Sequence, residues 1–392
     1  MNVFEKAALW GLDTDKLRSG ECVRGCVEVC DIDTFRNLFG GEQISEQRAE
    51  FSANSPNDVQ MSPLMAGLMD YVFGMGELTV ELNNYSRSLF PVKVDVVAER
   101  THKISTDIII GPKAGPYAIL TDTLIIDGGS LTVKSTALTV QANTLLIKAG
   151  SQNVDYHIGV MGTTGVVGVE GSSGPAYIQA AKAGSNACAP TPGICTGAKN
   201  GGLGDGGAKG NNGSKGSPGG DGIASLPATI VIAAFDTESK ESFVFSTQSG
   251  AGGKGGRGGK GGRGQGGGDG GNGCDSGCEG TAGGAGGQGG EGGDGGGGGI
   301  GGSGVNGHAI SMAFPQESKS RLQILSTIAS SGDGGDGGEP GTPGHPGNGG
   351  SGGKHKSGGP NGAGNKHGNQ GAAGSSGPLS GAPGSISFNW TS

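Results

Sequence analysis

The sequence predicts a mostly β chain in three parts. A small α/β N-terminal domain covers residues 1–105, a short β-solenoid covers 106–156, and a glycine-rich region of polyglycine-II helices interleaved with strands covers 157–392. Three observations lead there. Glycine is unevenly spread, with 13 in residues 1–156 and 77 in the remaining 236. Apolar pairs recur every seven residues between 117 and 147, and glycine recurs every third residue in long blocks beyond 157. With 32% hydrophobic and 5% aromatic residues, the glycine-rich part cannot build an ordinary side-chain core, which excludes a single large α/β enzyme.

In the N-terminal part, Phe4, Ala7, Ala8, Leu9, Trp10 and Leu12 predict a helix. Asp33 is placed to cap another through Phe35, Leu38 and Phe39. Leu64, Leu68, Tyr71, Val72 and Met75 recur at helical spacing. Leu78, Val80 and Leu82 alternate, as do Val92, Val94 and Val96, so two strands are expected. Met61, Met65, Met69 and Met75 offer a face that either docks a partner or fills a small core.

The seven-residue repeat runs through Tyr117/Ile119, Leu124/Ile126, Leu131/Val133, Leu138/Val140 and Leu145/Ile147. Period two within each pair points one face inward, and the constant seven fits strand plus corner, with about three faces per coil of a solenoid. Asn-Gly and Asp-Gly hairpin pairs are missing from most of the corners.

A glycine period of three implies a left-handed helix rising about 3.1 Å per residue. Collagen needs unbroken triplets rich in proline, whereas here most triplets read Gly-Gly-X and proline numbers 17. A bundle of polyglycine-II helices, paired through backbone hydrogen bonds, fits better than collagen or a disordered linker. Strand-like units interrupt the blocks at 230–235, 243–245, 310–314, 322–324 and 386–390. The charges keep the period. Lys254, Arg257, Lys260 and Arg263 form a basic ladder, and Asp333, Asp336 and Glu339 form an acidic one in the next block, expected to lie beside it and set register.

Catalytic patterns are not found: the six histidines are scattered, and dense glycine makes any phosphate-loop match meaningless. No cofactor and no metal is expected. Cys22, Cys26 and Cys30 would share one face of a helix, without a fourth ligand for zinc. Cys274 with Cys278, and Cys188 with Cys195, are candidate local disulfides. The seventh cysteine makes the count odd, so one thiol stays free or bridges chains. The net charge of −8 gives no reason to expect a nucleic-acid partner. No stretch approaches the ~18 uninterrupted apolar residues of a membrane span, and no secretory signal is visible at the start. Synthesis in the cytoplasm with release by lysis or on a particle is the expectation.

The period and composition of 157–392 resemble the polyglycine-II tail-fibre tip adhesins of T-even-like phages and, more distantly, the snow-flea antifreeze protein. The adhesin resemblance implies a rigid sandwich that presents loops to a bacterial surface receptor. The loops in question here are 177–196, 236–241, 315–320 and 354–367, with Lys354, His355, Lys356, Asn365, Lys366 and His367 as candidate binding residues. The expected function is non-enzymatic recognition of a cell-surface receptor or glycan. The alternatives are a structural protein that self-assembles through the exposed C-terminal strand, and a membrane-damaging toxin.

Overall fold

The computed structural model describes residues 2–39, 63–72, 76–112, 114–149, 151, 154–187, 199–236, 241–275 and 279–391. Asn2 opens helix α1 (Val3–Leu9) through a capping box with Glu5, and Asp13 caps α2 (Thr14–Arg18). Strand β1 (Val23–Val29) and helix α3 (Ile32–Phe39) follow, the latter started by Asp31, whose carboxylate accepts from Thr34 N–H at 2.7 Å. Helices α4 (Pro63–Val72) and α5 (Val80–Leu89) complete the N-terminal layer. Residues 80–89 are helical, not the strand that the alternation suggests. Thr79 caps the helix, the wider spacing Leu78–Leu82–Tyr85–Leu89 packs at helical intervals, and Val80 lies 79% exposed.

The strands are β2 (Val92–Ile104), β3 (Ile108–Ile110), β4 (Tyr117–Ile126), β5 (Leu131–Lys134), β6 (Leu138–Ile147), β7 (Ile158–Met161), β8 (Ala228–Phe235), β9 (Phe243–Gln248), β10 (Ile310–Pro315), β11 (Leu322–Thr327) and β12 (Ile386–Thr391). They form a seven-stranded mixed sheet, β1-β2-β4-β6-β8-β10-β12, and a five-stranded parallel sheet, β11-β9-β7-β5-β3. From β2 onward the chain alternates between the two. Their facing sides share one core, in which Ile119, Leu124, Ile126, Val140, Leu145 and Phe314 meet Leu131, Val133, Ile158, Phe243 and Phe245. Burying each such side chain contributes roughly 1.5–3 kcal/mol. On the other side of the large sheet, Ala98, Ala118 and Leu120 pack against Val3, Ala7, Phe35, Phe39, Leu68 and Val72 of the helices.

This is an α/β fold with a mixed and a parallel sheet, which corrects the mostly β class with its short β-solenoid; no closed solenoid forms among the described residues. The physical reason lies in the expected corners. Tyr117–Ile126 and Leu138–Ile147 are each one continuous strand, so 121–123 and 141–143 do not turn. They bend instead. The register skips Asp122 and Asn143, and the interior set shifts from Ile119 to Leu124 and Ile126. An odd period of seven requires that change of parity, and a kink supplies it without leaving the sheet. Thr121 is fully buried there, and its hydroxyl donates to the carbonyls of Arg100 and Thr123.

Three long hairpins of extended glycine-rich chain are inserted between β7 and β8, β9 and β10, and β11 and β12. Each contributes two segments, here named g1 (162–187), g2 (199–222), g3 (250–275), g4 (280–307), g5 (329–353) and g6 (357–381).

Candidate functional site

The six segments form a two-row array held by backbone hydrogen bonds that repeat every three residues. Each segment donates across to the preceding one (Gly253 N to Gly220 O, 2.8 Å; Gly302 N to Gly253 O, 2.9 Å) and runs antiparallel to it. Segments g1 to g4 also donate sideways to the segment two further on (Gly255 N to Asp333 O, 2.8 Å; Gly219 N to Ile300 O, 2.8 Å). One row is therefore g1–g3–g5 and the other g2–g4–g6. Every triplet has a cross position, an outer position and a lateral position, defined by these bonds.

Glycine content follows from the number of neighbours. A Cβ at the glycine cross positions of g3, g4, g5 or g6 would strike a carbonyl of the segment beside it in the row, while Gln265 and Asn365 carry side chains at two other cross positions. Gly256 would approach Val169 O to 2.1 Å and Gly299 would approach Ser217 O to 1.9 Å. A Cβ at the lateral glycines of g3 and g4 would meet the following segment, as at Gly255, 2.1 Å from Gly299 O. Segments g1 and g2 have no predecessor in their row, and there Val166, Val169, Ser172 and Ser214 occupy cross positions. Segment g6 has no successor, and lateral Gly364 meets nothing within 4 Å.

Outer positions carry the exposed side chains and display the charge ladders. Lys254 Nζ lies 3.4 Å from Asp336, Arg257 donates to Glu339 at 2.9 Å, and Lys260 reaches Glu339 at 3.4 Å. Hydrogen bonds from Arg257 and Lys260 hold the Glu339 carboxyl below the usual carboxylate range. Arg263 and Asp333 make no ion pair among the described residues. The opposite row has a second set that the sequence reading missed. There, Lys209 pairs with Asp294 at 2.6 Å and Lys366 with Glu291 at 3.5 Å. Its signal was present, since all four charges sit at outer positions of the glycine period.

A further device went unread. Outer-position amides have no backbone acceptor in the lattice, and Asn or Asp side chains of the adjacent segment serve instead. Asn272 N–H donates to Asn186 Oδ1 (2.8 Å) and Ser351 N–H to Asn272 Oδ1 (2.9 Å). On the other face, Asp294 N–H donates to Asn212 Oδ1 and Asn369 N–H to Asp294 Oδ1. These side chains bind neighbouring segments in relays of three.

The ends of all six segments away from the sheets meet at one tip. At about 3.1 Å per residue, residues 252–273 carry this tip roughly 65 Å along the array. There Lys354 N–H donates to Asp275 Oδ1, Lys354 O accepts from Gly280, and Lys356 N–H closes a turn on Gly353 O. His355 takes a positive φ of 59° in that turn. Lys356 Nζ lies 2.5 Å from Glu279, and its hydrogen bond lowers the Glu279 carboxyl's pKa.

The candidate loop 354–367 divides. Lys354, His355 and Lys356 are at the tip, whereas Asn365, Lys366 and His367 lie along g6, with Asn365 Nδ2 donating to Gly289 O. Of the candidate disulfides, Cys188, Cys195 and Cys278 lie outside the described residues, as do Met61 and Met75. Cys274 lies at the tip end of g3, where its amide donates to Thr281 Oγ1. Cys22, Cys26 and Cys30 lie on and beside strand β1, not on a helix. No group of three or more His, Cys, Asp or Glu able to hold a metal occurs among the described residues, and no helix there is long and apolar enough to cross a membrane. Comparisons with protein families, curated proteins and solved structures find no match.

Proposed function

We propose that this is a non-enzymatic recognition protein whose glycine array is a stiff arm offering its tip to a cell-surface receptor or glycan. The observation that carries the reading is the gathering of the far ends of segments g1 to g6 at one pole away from the sheets, with exposed Lys354, His355 and Lys356 there. A backbone-bonded lattice loses little order when its tip binds, so less of the contact energy goes to immobilising the site. The resemblance to phage tip adhesins points the same way. The test is binding of fluorescently labelled protein to a panel of intact bacterial and animal cells, with dye-loaded liposomes alongside. Saturable binding to some cells, lost when 354–356 are replaced by Gly-Ser-Gly, is expected. Binding that survives the replacement refutes the tip, and dye release moves the function to membrane damage.

The second reading is assembly through β12, because that strand ends the seven-stranded sheet. It predicts concentration-dependent fibres that disappear on deletion of residues 386–392.

A further inference from the structure

The other end of the seven-stranded sheet is β1, which pairs antiparallel with β2 on one side, and no strand among the described residues pairs with its other side. Its sequence, with one flanking residue at each end, reads Cys22-Val-Arg24-Gly-Cys26-Val-Glu28-Val-Cys30. Exposure alternates along it: Arg24, Cys26 and Glu28 are exposed, Val23, Gly25 and Val27 are half-buried, and Val29 is buried. Cys22, Cys26 and Cys30 are all exposed free thiols. They share one face of the strand because side chains alternate with period two. Neighbouring thiols stand about 13 Å apart along the strand, at roughly 3.3 Å per residue. Disulfides need Cα atoms about 4.4–6.8 Å apart. These three cannot bridge one another within one chain.

The strand is self-complementary. We infer that β1 is a homodimerisation edge, pairing antiparallel with β1 of a second copy about a two-fold axis through Cys26. In that register Cys26 faces Cys26 of the second copy, Cys22 faces Cys30, and Arg24 faces Glu28. On the other face Val23 meets Val29 and Gly25 meets Val27. Each off-axis contact occurs twice and the Cys26 pair sits once on the axis, as an isologous interface requires. Sliding the register by two residues places cysteine against Arg24 or Glu28 and removes both the charge pairing and the thiol pairing. Sliding by four keeps some thiols opposed but sacrifices half of the paired strand. Charge complementarity and thiol alignment thus select one occupant and one register.

Directly opposed residues in an antiparallel pair have Cα atoms about 4.5 or 5.5 Å apart, within disulfide reach. A low-molecular-weight disulfide suffices as oxidant. One protein thiolate attacks it, releasing one small thiol and leaving a mixed disulfide. The opposed thiolate of the second copy then displaces the other small thiol and closes the interchain bond. Two protein thiols are oxidised as one small disulfide is reduced to two thiols. The edge closes on itself, so it yields pairs and not fibres, and a pair carries two arms.

The test uses the full chain with oxidised glutathione, non-reducing electrophoresis and mass-spectrometric mapping of cross-linked peptides. Cys22→Ser/Cys30→Ser is expected to give a Cys26–Cys26 bridge, and Cys26→Ser a Cys22–Cys30 bridge. Cys26→Ser/Cys30→Ser leaves Cys22 facing serine and is expected to lose the β1 cross-link. Under reducing conditions, sedimentation equilibrium is expected to show a dimer. Glu28→Arg should weaken it roughly tenfold by setting arginines against each other, and adding Arg24→Glu should restore it. A monomer at all concentrations, equal cross-linking through Cys22 alone, or no rescue by the charge exchange would overturn the inference.

Discussion

Replacing Gly256 by alanine tests the lattice at its centre. The new Cβ would stand 2.1 Å from Val169 O, where ordinary contact begins at 3.4 Å. Segments g1 and g3 must therefore separate by more than an ångström at that point. The bonds nearest the strain are Gly168 N to Lys254 O and Gly171 N to Arg257 O, both 2.8 Å, with Gly256 N to Ser217 O at 2.9 Å on the other side. Losing two of them, with donors left unpaired, costs about 2–6 kcal/mol. Gly364→Ala is the matched control, because its Cβ meets nothing within 4 Å. There alanine restricts only the unfolded chain, a gain of about 0.4–1 kcal/mol. Urea unfolding followed by circular dichroism should show shifts of opposite sign. Equal shifts for the two variants would refute the packing argument.

Other expectations follow from the same frame. Arg257→Glu removes the 2.9 Å bond to Glu339. Because both groups are exposed, the loss of thermal stability should be small at low salt and vanish at high salt. His308 joins g4 to β10, and burial lowers its pKa to about 4, with Nε2 lacking any hydrogen-bond partner. Above pH 6.5 it is neutral folded or unfolded. As pH falls from 6.5 to 4 the unfolded chain takes up a proton that the folded one refuses, so stability should drop by up to about 3 kcal/mol. His308→Gln should flatten that part of the stability profile, and an unchanged slope would assign it elsewhere. Pro340, Pro343 and Pro346 occupy lateral positions of g5, whose donors have no following segment in the row. Proline removes those donors and blunts the edge. Changing all three to glycine should produce concentration-dependent association in light scattering, whereas a strictly monodisperse triple variant would contradict the blunting role.

Much of the array was legible because its period is a direct image of backbone contacts. Two glycines per triplet in 252–262 mark a segment with neighbours on every inner side, and one per triplet in 368–376 marks an edge. The ladder Lys254–Arg257–Lys260 could be placed beside Asp336 and Glu339 for the same reason. The expected β-solenoid failed because a seven-residue repeat fixes parity and spacing but cannot separate a corner from a kink. Only the pairing of Thr121 with Ala142 and of Thr123 with Thr144 shows that the strand continues through the kink without leaving the sheet. Alternation over three residues misread 78–82, where the cap at Thr79 and the longer spacing to Tyr85 and Leu89 decide for helix. The tip was partly visible as the charged run 354–356, but its extension to His367 ignored that the three-residue period resumes at Gly359. The Asn and Asp relays were hidden because their partners lie 75–86 residues away in sequence.

The central claim, that segments g1 to g6 are a hydrogen-bonded lattice and not flexible glycine chain, is tested most directly by residue-resolved amide hydrogen exchange. The account predicts protection with a period of three. Gly253, Gly255, Gly256, Gly258 and Gly259 should exchange slowly, and the outer amides of Lys254, Arg257 and Lys260 fast, while outer amides held by side chains, such as Asp294 and Ser351, stay protected. Uniformly fast exchange from 250 to 275 would contradict it.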